Sequence, residues 1–428
     1  MRGSHVLPKL TSIGNQKSYS ELQRRIVRGD LSTFSKNDTY KLYRTGEGQW
    51  SAERTALHRR ILDEAKRACS GKPRTRQAAI FTAGPGGVGK STAWRKINEL
   101  QRSGDQVGEK VREAIHGVKP EDCVVLDPDA FKEALVRHGG LPELPAESHY
   151  LANGKKVAPA ECASLLHRES IHLEYTFGQW ARAEGYNVVF DGTLRDLKYQ
   201  EELLANLEKE GYQNRTVISV EASLSDVLDR NAERWEKGRK EFDLGRSEYG
   251  GRMAPQVLIE ALYDSNKNQS LGRKNAHILF DKGGFTDIIT VDALGEGGLN
   301  SKFIDPSLSI TVRHRGGGHA LRFRTLPAEK VNYGDVVAVA QAASPLLPEV
   351  PQEAQDFRQA PVPATTLNNP THDAVLTRTA AASLRPQGFP DGSPTASRTE
   401  VGGGTGDAYT RSDHSAGTRS REGIKRVL

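Results

Sequence analysis

Cysteine is scarce in this 428-residue chain: Cys69, Cys123 and Cys162 are the only three, and no pair stands in a CxxC spacing. A scattered, odd set excludes a disulfide framework and a cysteine-based zinc site, and it fits a reducing compartment. Aromatic residues make up 7% of the chain and apolar residues 36%, so part of it is expected to lie outside any packed core. No apolar run approaches the roughly eighteen residues of a membrane span, and the opening residues lack the apolar stretch of a signal peptide. The expectation is a soluble, cytoplasmic protein with no membrane partner. An excess of one charge is missing too, because 60 Lys+Arg against 54 Asp+Glu leaves only +6. That balance favours anionic ligands such as nucleotides but is too dilute to specify a nucleic acid.

What is present divides the chain into four zones. Residues 1–76 read as an N-terminal helical extension, 77–300 as an α/β body, 301–343 as a small β-hairpin extension, and 344–428 as a disordered Pro/Gly/Thr-rich tail. Nine of the twenty prolines fall between Pro345 and Pro394, where no apolar periodicity remains. In the body, short apolar runs alternate with helical patterns. Ala78–Ala83, Cys123–Leu126, Asn187–Phe190, Thr216–Val220 and Ile278–Phe280 read as buried parallel strands. Ala160–Glu184, Leu197–Glu210 and Ser223–Lys237 read as the helices between them. This order predicts an open, mostly parallel sheet flanked by helices. Two alternating stretches around Gly316–Gly318 predict a hairpin whose Arg313, Arg315, Arg322 and Arg324 read as a solvated basic face rather than phosphate contacts. The segment Ser51–Ala68 reads as an amphipathic helix that docks on the body through Leu57, Ile61, Leu62 and Ala65, capped by Ser51.

Gly84-Pro85-Gly86-Gly87-Val88-Gly89-Lys90-Ser91-Thr92 matches GxxxxGK[ST] directly after the first strand and before a helical segment. Glycines let the backbone approach a phosphate closely, so that amide N–H groups and a helix N-terminus face the anion. Lys90 would bridge the β- and γ-phosphates, and the Ser91 hydroxyl would serve Mg²⁺. Nucleotide binding, with ATP and Mg²⁺ the expected cofactors, follows from this loop; phosphoryl transfer needs more.

A phosphotransferase also needs an acceptor hydroxyl in line, a carboxylate to take its proton, and positive charge around the moving group. After the second strand stands Asp127-Pro128-Asp129, where Asp129 is either a base or a helix cap. The third strand ends in Asp191-Gly192-Thr193, which places Asp191 as a Mg²⁺ carboxylate or a plain turn residue. Arg230, Arg234, Arg239, Arg246 and Arg252 form either a solvated face or a lid over a triphosphate. His167 and His172, five apart, are poorly spaced for a metal on one helix face. Trp180, Trp235 and Tyr263 read as packing.

Together these motifs resemble the zeta toxin family, P-loop kinases that phosphorylate the 3′-hydroxyl of UDP-N-acetylglucosamine, over roughly residues 78–290. The resemblance implies the base at Asp129 in Asp127-Pro-Asp129-Ala-Phe131, and a substrate-binding glutamate at Glu169. It implies substrate or phosphate contacts from Thr193 and Arg195 in Asp191-Gly-Thr193-Leu-Arg195. Its lid arginines correspond to Arg234 in Glu233-Arg234-Trp235-Glu236 and to Arg252 ahead of Pro255-Gln256. An antitoxin partner follows from the same resemblance, with residues 1 to about 50 a candidate internal brake or antitoxin contact. Two departures, a longer polar stretch from His138 to Pro159 and Asp191 in place of the more usual glutamate, both flank the acceptor side. Other acceptors of related kinases, a dinucleotide ribose or an antibiotic alcohol, are the alternatives within the class. A P-loop ATPase switch or partner-binding protein is the alternative outside it, and such a switch has no use for Asp129, Glu169 and Arg195 together.

Overall fold

The computed structural model describes residues 10, 13–45, 48–76, 78–293, 308–315 and 320–325. Three helices come first, α1 (Ile13–Arg28), α2 (Thr39–Leu42) and α3 (Ala52–Ala68). Strands and helices then alternate: β1 (Ala78–Ala83), α4 (Lys90–Leu100), α5 (Gln106–Ala114), β2 (Cys123–Leu126), α6 (Pro128–Arg137), α7 (His167–Ala183), β3 (Asn187–Asp191) and α8 (Leu197–Lys209). The rest are β4 (Asn214–Glu221), α9 (Leu224–Asp243), α10 (Gln256–Glu260), α11 (Leu271–Asp281), β5 (Asp287–Ala293), β6 (Leu308–His314) and β7 (Leu321–Thr325). One sheet runs in the order β2-β3-β1-β4-β5-β6-β7, parallel through β5 and antiparallel beyond it.

Burial explains the two-sided wrapping. β1 is buried at every position, as a central parallel strand must be. Its period of two sends Ala79, Phe81 and Ala83 toward Phe131, Phe177, Leu203 and Leu279 on one face. Ala78 and Ile80 go to the other, with Ile97, Val111 and Leu228. Each such large side chain contributes about 1.5–3 kcal/mol when removed from water. A third cluster lies outside the sheet, where Tyr19, Leu22 and Ile26 of α1 pack with Trp235 of α9, Leu165 and Met253. Ser51 caps α3 by accepting from the Arg54 amide at 3.2 Å, and Ile61 enters the main core with Leu57, Leu62 and Ala65 against it. The expected docking helix is therefore present.

One strand was misplaced by sequence. Ile278–Phe280, expected as a strand, lies inside α11, because Ser270 caps that helix and Gly272, Ala276, Leu279 and Phe280 form one buried face at helical spacing. The strand that follows β4 is instead Asp287–Ala293, whose β-branched Ile288, Ile289 and Val291 were hidden between two aspartates. The segment expected as one helix from Ala160 is a 3₁₀ turn over Pro159–Leu166 followed by α7. The hairpin forms as β6 and β7 and prolongs the sheet beyond β5, and among its arginines Arg315 donates to the Gly283 carbonyl at 2.9 Å while Arg313 lies over Phe280. The tail, 344–428, and residues 301–307, 316–319 and 326–343 lie beyond the described residues. Among the described residues no helix is long and apolar enough to cross a membrane.

Candidate active site

The carboxyl ends of β1, β2 and β3 lie side by side, which is where open α/β sheets hold their ligands. From β1 the chain enters the glycine loop and leaves it into α4, with Gly89 at its cap in a left-handed conformation (φ +104°). Gly87 also has positive φ (+87°), and a Cβ there would stand 2.3 Å from Asn231 Nδ2, so only glycine fits. Lys90 Nζ donates to the Gly84 carbonyl at 3.1 Å and lies 3.7 Å from Asp191 Oδ1. Thr82 Oγ1 donates to the same Asp191 oxygen at 2.7 Å, which fixes that carboxylate beside the loop.

At the end of β2, Asp127 is the helix cap. Its side chain accepts from the Asp129 amide at 2.8 Å, with Pro128 at the first helical position. Asp129 is thus released from capping and points into the cleft, where it accepts from Lys132 Nζ at 2.8 Å and pairs with Arg252. Burial would raise its pKa, but Lys132 and Arg252 outweigh burial and hold the carboxyl well below the usual range. Asp127 goes the other way, pushed up to about 6 by burial and by the charges of Asp129 and Asp191. Two neighbouring carboxyls with opposed shifts are a mark of an acid–base site.

The five lid-region arginines separate by environment. Arg239 is a buried structural residue, paired with Glu161 at 2.9 Å and Asp243 at 2.8 Å, and Arg246 is exposed on the surface. Arg252 bridges Asp129 and Glu133, the latter at 3.0 Å, and Arg234 is close enough that Arg252 depresses its pKa after burial. Their meeting depends on a tight crossing: a Cβ on Gly251 would stand 2.1 Å from the Trp235 carbonyl oxygen. Backbone contact at that point brings the loop carrying Arg252 onto α9 beside Arg234. Arg230 lies at the phosphate loop instead, donating to the carbonyls of Val88 at 3.1 Å and Gly87 at 3.4 Å.

Beyond β3, Thr193, Leu194 and Arg195 make a turn held by Asn275 of α11, whose Nδ2 donates to the Leu194 and Arg195 carbonyls at 2.9 and 2.8 Å. The Arg195 guanidinium has no hydrogen bond or ion pair among the described residues and remains available to an anion.

Glu169, expected at the substrate, is fully buried, and both its oxygens are taken by Arg54 of α3, at 2.6 and 2.7 Å, with His58 Nε2 at 2.5 Å. Burial would raise its pKa, but the His58 and Arg54 bonds outweigh it and keep it low. Five positions on, Glu174 is pushed up to about 7 by burial and then by the charge of Asp127. Sequence reasoning missed Glu174. Its signal was an acid with apolar or small helical neighbours, Ile171, Phe177 and Gly178. It also missed Lys132 and Asn231, which no motif marks. His167 stands near Lys132 and Asp129, and burial, with Lys132 next, pushes it down to about 3, so it is neutral. His172 belongs to a ring cluster with Trp50 and His58.

For Mg²⁺, the Ser91 hydroxyl is exposed at the start of α4, and Asp191 keeps its Oδ2 free of hydrogen bonds among the described residues. A hydroxyl plus a carboxylate is the oxygen donor set that Mg²⁺ takes when the remaining positions go to phosphates and water.

The zeta toxin family model matches residues 62–247, a span that includes the glycine loop, Asp127, Asp129, Asp191 and Arg234. Distant likenesses exist among solved structures. A chain of the PezAT chromosomal toxin-antitoxin system of Streptococcus pneumoniae is 16% identical over 55% of this chain and 76% of its own, with a TM-score of 0.36. AvrRxo1-ORF1:-ORF2 with ATP is 15% identical over 70% and 76%, at 0.36. A kinase-like protein of Chloroflexus aurantiacus is 17% identical over 49% and 99%, at 0.25. At these scores they add nothing to the reading of the site, which rests on its own residues. No curated protein matches the sequence.

Proposed function

We propose that this protein is an ATP-dependent kinase of the zeta toxin type, transferring the γ-phosphate to a sugar-nucleotide hydroxyl, with the 3′-hydroxyl of UDP-N-acetylglucosamine as the leading acceptor. The observation that carries this reading is Asp129, freed from capping by Asp127 and paired with Arg252 and Lys132 at the carboxyl end of β2, on the same edge of the sheet as the phosphate loop after β1. A hydrolytic switch needs no such carboxylate; a kinase does.

The loop amides and Lys90 hold the β- and γ-phosphates. Mg²⁺, held by Ser91 and Asp191, would offset the triphosphate charge. Asp129 accepts the acceptor's proton as that oxygen bonds to the γ-phosphorus and the bond to the β-phosphate oxygen breaks, leaving ADP. Arg234 and Arg252 take up the charge on the transferring oxygens. Arg252 has two anions to serve. While paired with Asp129 it keeps that carboxylate a poor base, and its transfer to the triphosphate raises the affinity of Asp129 for a proton when the acceptor is in place. Arg195, Thr193 and Glu174 position the acceptor. An antitoxin partner and a cytoplasmic site of action complete the proposal.

The test is Asp129→Asn, with ATP affinity by equilibrium titration and transfer by mass spectrometry of the acceptor. Transfer should fall about 10²–10⁴-fold with ATP affinity little changed. Near-normal transfer would remove Asp129 from the mechanism, and a wild type whose ATP turnover ignores every candidate alcohol would favour the hydrolytic switch.

A further inference from the structure

Asn231 sits on α9 at 1% exposure and satisfies its whole amide. Its Nδ2 donates to the Gly86 carbonyl at 2.7 Å and to the Val227 carbonyl at 2.8 Å, and its Oδ1 accepts from Arg234 Nη2 at 3.4 Å. Reversing the amide would set its oxygen against two carbonyls, so only this orientation is satisfied. Arg230, the preceding residue, donates to the next two loop carbonyls, Gly87 and Val88. Three successive loop carbonyls are therefore tied to one helix.

In a trans peptide the carbonyl of one residue and the N–H of the next point in opposite directions. Holding the Gly86 and Val88 carbonyls toward α9 turns the N–H groups of Gly87 and Gly89 away from it. The Val88 N–H is taken within the loop by the Pro85 carbonyl at 3.2 Å. Gly87 is part of the same fit, since any Cβ there would collide with the Asn231 amide. The side chain that holds the loop open for an anion is thus also the one that accepts from Arg234.

We infer that Asn231 is a positioning residue that couples the phosphate loop to Arg234, so that one buried amide sets both the loop's anion-facing N–H groups and the direction of the arginine that neutralises the transferring phosphate. Arg230 supports the loop half of this coupling only. The inference rests on the kinase reading above, and nucleotide binding is measured separately from turnover so that the two can fail separately.

The experiment is a double-mutant cycle on the full chain, comparing Asn231→Ala, Arg234→Ala and the double variant by ATP titration and by the rate of ADP formation at saturating ATP. Asn231→Ala should weaken ATP binding several-fold and slow turnover roughly 10- to 100-fold, as expected when a transition-state donor is misdirected. In the Arg234→Ala background the further loss in turnover should shrink to about threefold or less, while the loss in ATP affinity persists. A turnover effect that is equally large in both backgrounds overturns the coupling, and so does unchanged ATP affinity in Asn231→Ala. If that variant fails to fold, Asn231→Asp and Arg230→Gln decide the matter. The first keeps the acceptor for Arg234 but loses both donors, the second loses two loop contacts, and both should weaken ATP with a smaller change in the saturated rate. Wild-type ATP affinity in both overturns the proposal. A wild type that binds no ATP overturns the kinase reading and the coupling together.

Discussion

Replacing Arg54 by Met isolates what the N-terminal helices contribute. In the native protein Glu169 is fully buried, and Arg54 supplies two of its bonds, at 2.6 and 2.7 Å. Methionine keeps much of the volume but strips the buried carboxylate of its guanidinium, leaving it His58 at 2.5 Å and the Thr39 hydroxyl. Removing one member of a buried ion pair costs about 3–5 kcal/mol, because the survivor stays desolvated. The pH dependence follows from the same pair. In wild type the pKa of Glu169 is lowered, so its stabilisation is present above the unfolded value and is lost as pH falls through the folded one. Without Arg54 burial prevails and the pKa rises above the unfolded value, so the deficit is full at neutral pH and narrows as the carboxyl protonates toward about pH 4–5. Urea unfolding at pH 7 and pH 5, followed by tryptophan fluorescence, reads both effects, and Trp50, 4.6 Å from the His58 ring, reports locally. Adding Glu169→Leu to Arg54→Met should restore most of the loss. A deficit under about 1 kcal/mol at pH 7, or one that does not change with pH, would refute the reasoning.

Glu174→Gln should behave in the opposite sense. Because the folded pKa is raised to about 7, the native carboxylate costs stability as pH climbs past its unfolded value, so the variant should gain about 1–2 kcal/mol at pH 8 and nothing below about pH 4 while losing acceptor turnover. Equal stability of variant and wild type at pH 8 would contradict this. Gly251→Ala forces a Cβ to 2.1 Å from the Trp235 carbonyl oxygen, so the loop carrying Arg252 must move away from α9. Turnover should fall at least about tenfold with ATP affinity nearly kept, and an unchanged rate would mean that the crossing does not set the arginine.

Much of this was legible in the sequence because it is local. The glycine loop, the strand before it and the helix after it are contiguous, and the β1 to β4 runs carry their own β-branched and apolar signals. The Asp127-Pro128-Asp129 triplet even held both answers, since the cap and the cleft carboxylate stand two residues apart. Ile278–Phe280 failed for a local reason: three apolar residues are too short to distinguish a strand from a helix face without weighing the Ser270 cap. The partners of Glu169 were out of reach for a different one. Its motif position suggested a ligand, but its partners Arg54 and His58 lie 115 and 111 residues upstream in a segment the motif does not include. Asn231 is 145 residues from the Gly86 carbonyl it holds, and nothing in the loop or in α9 alone announces the pairing.

Those separations also order events while the chain is being made. At about 5–20 residues per second, Arg54 leaves the synthesis site roughly 6–23 s before Glu169 exists, and the phosphate loop waits roughly 7–29 s for Asn231. Asp129 meets Arg252 only after a further 123 residues have been added beyond it. The nascent chain therefore carries a recognisable nucleotide loop long before it has a lid arginine or a buried partner for Arg54. The pair between Asp129 and Arg252 therefore closes only after α1 to α3 and the phosphate loop have already been made.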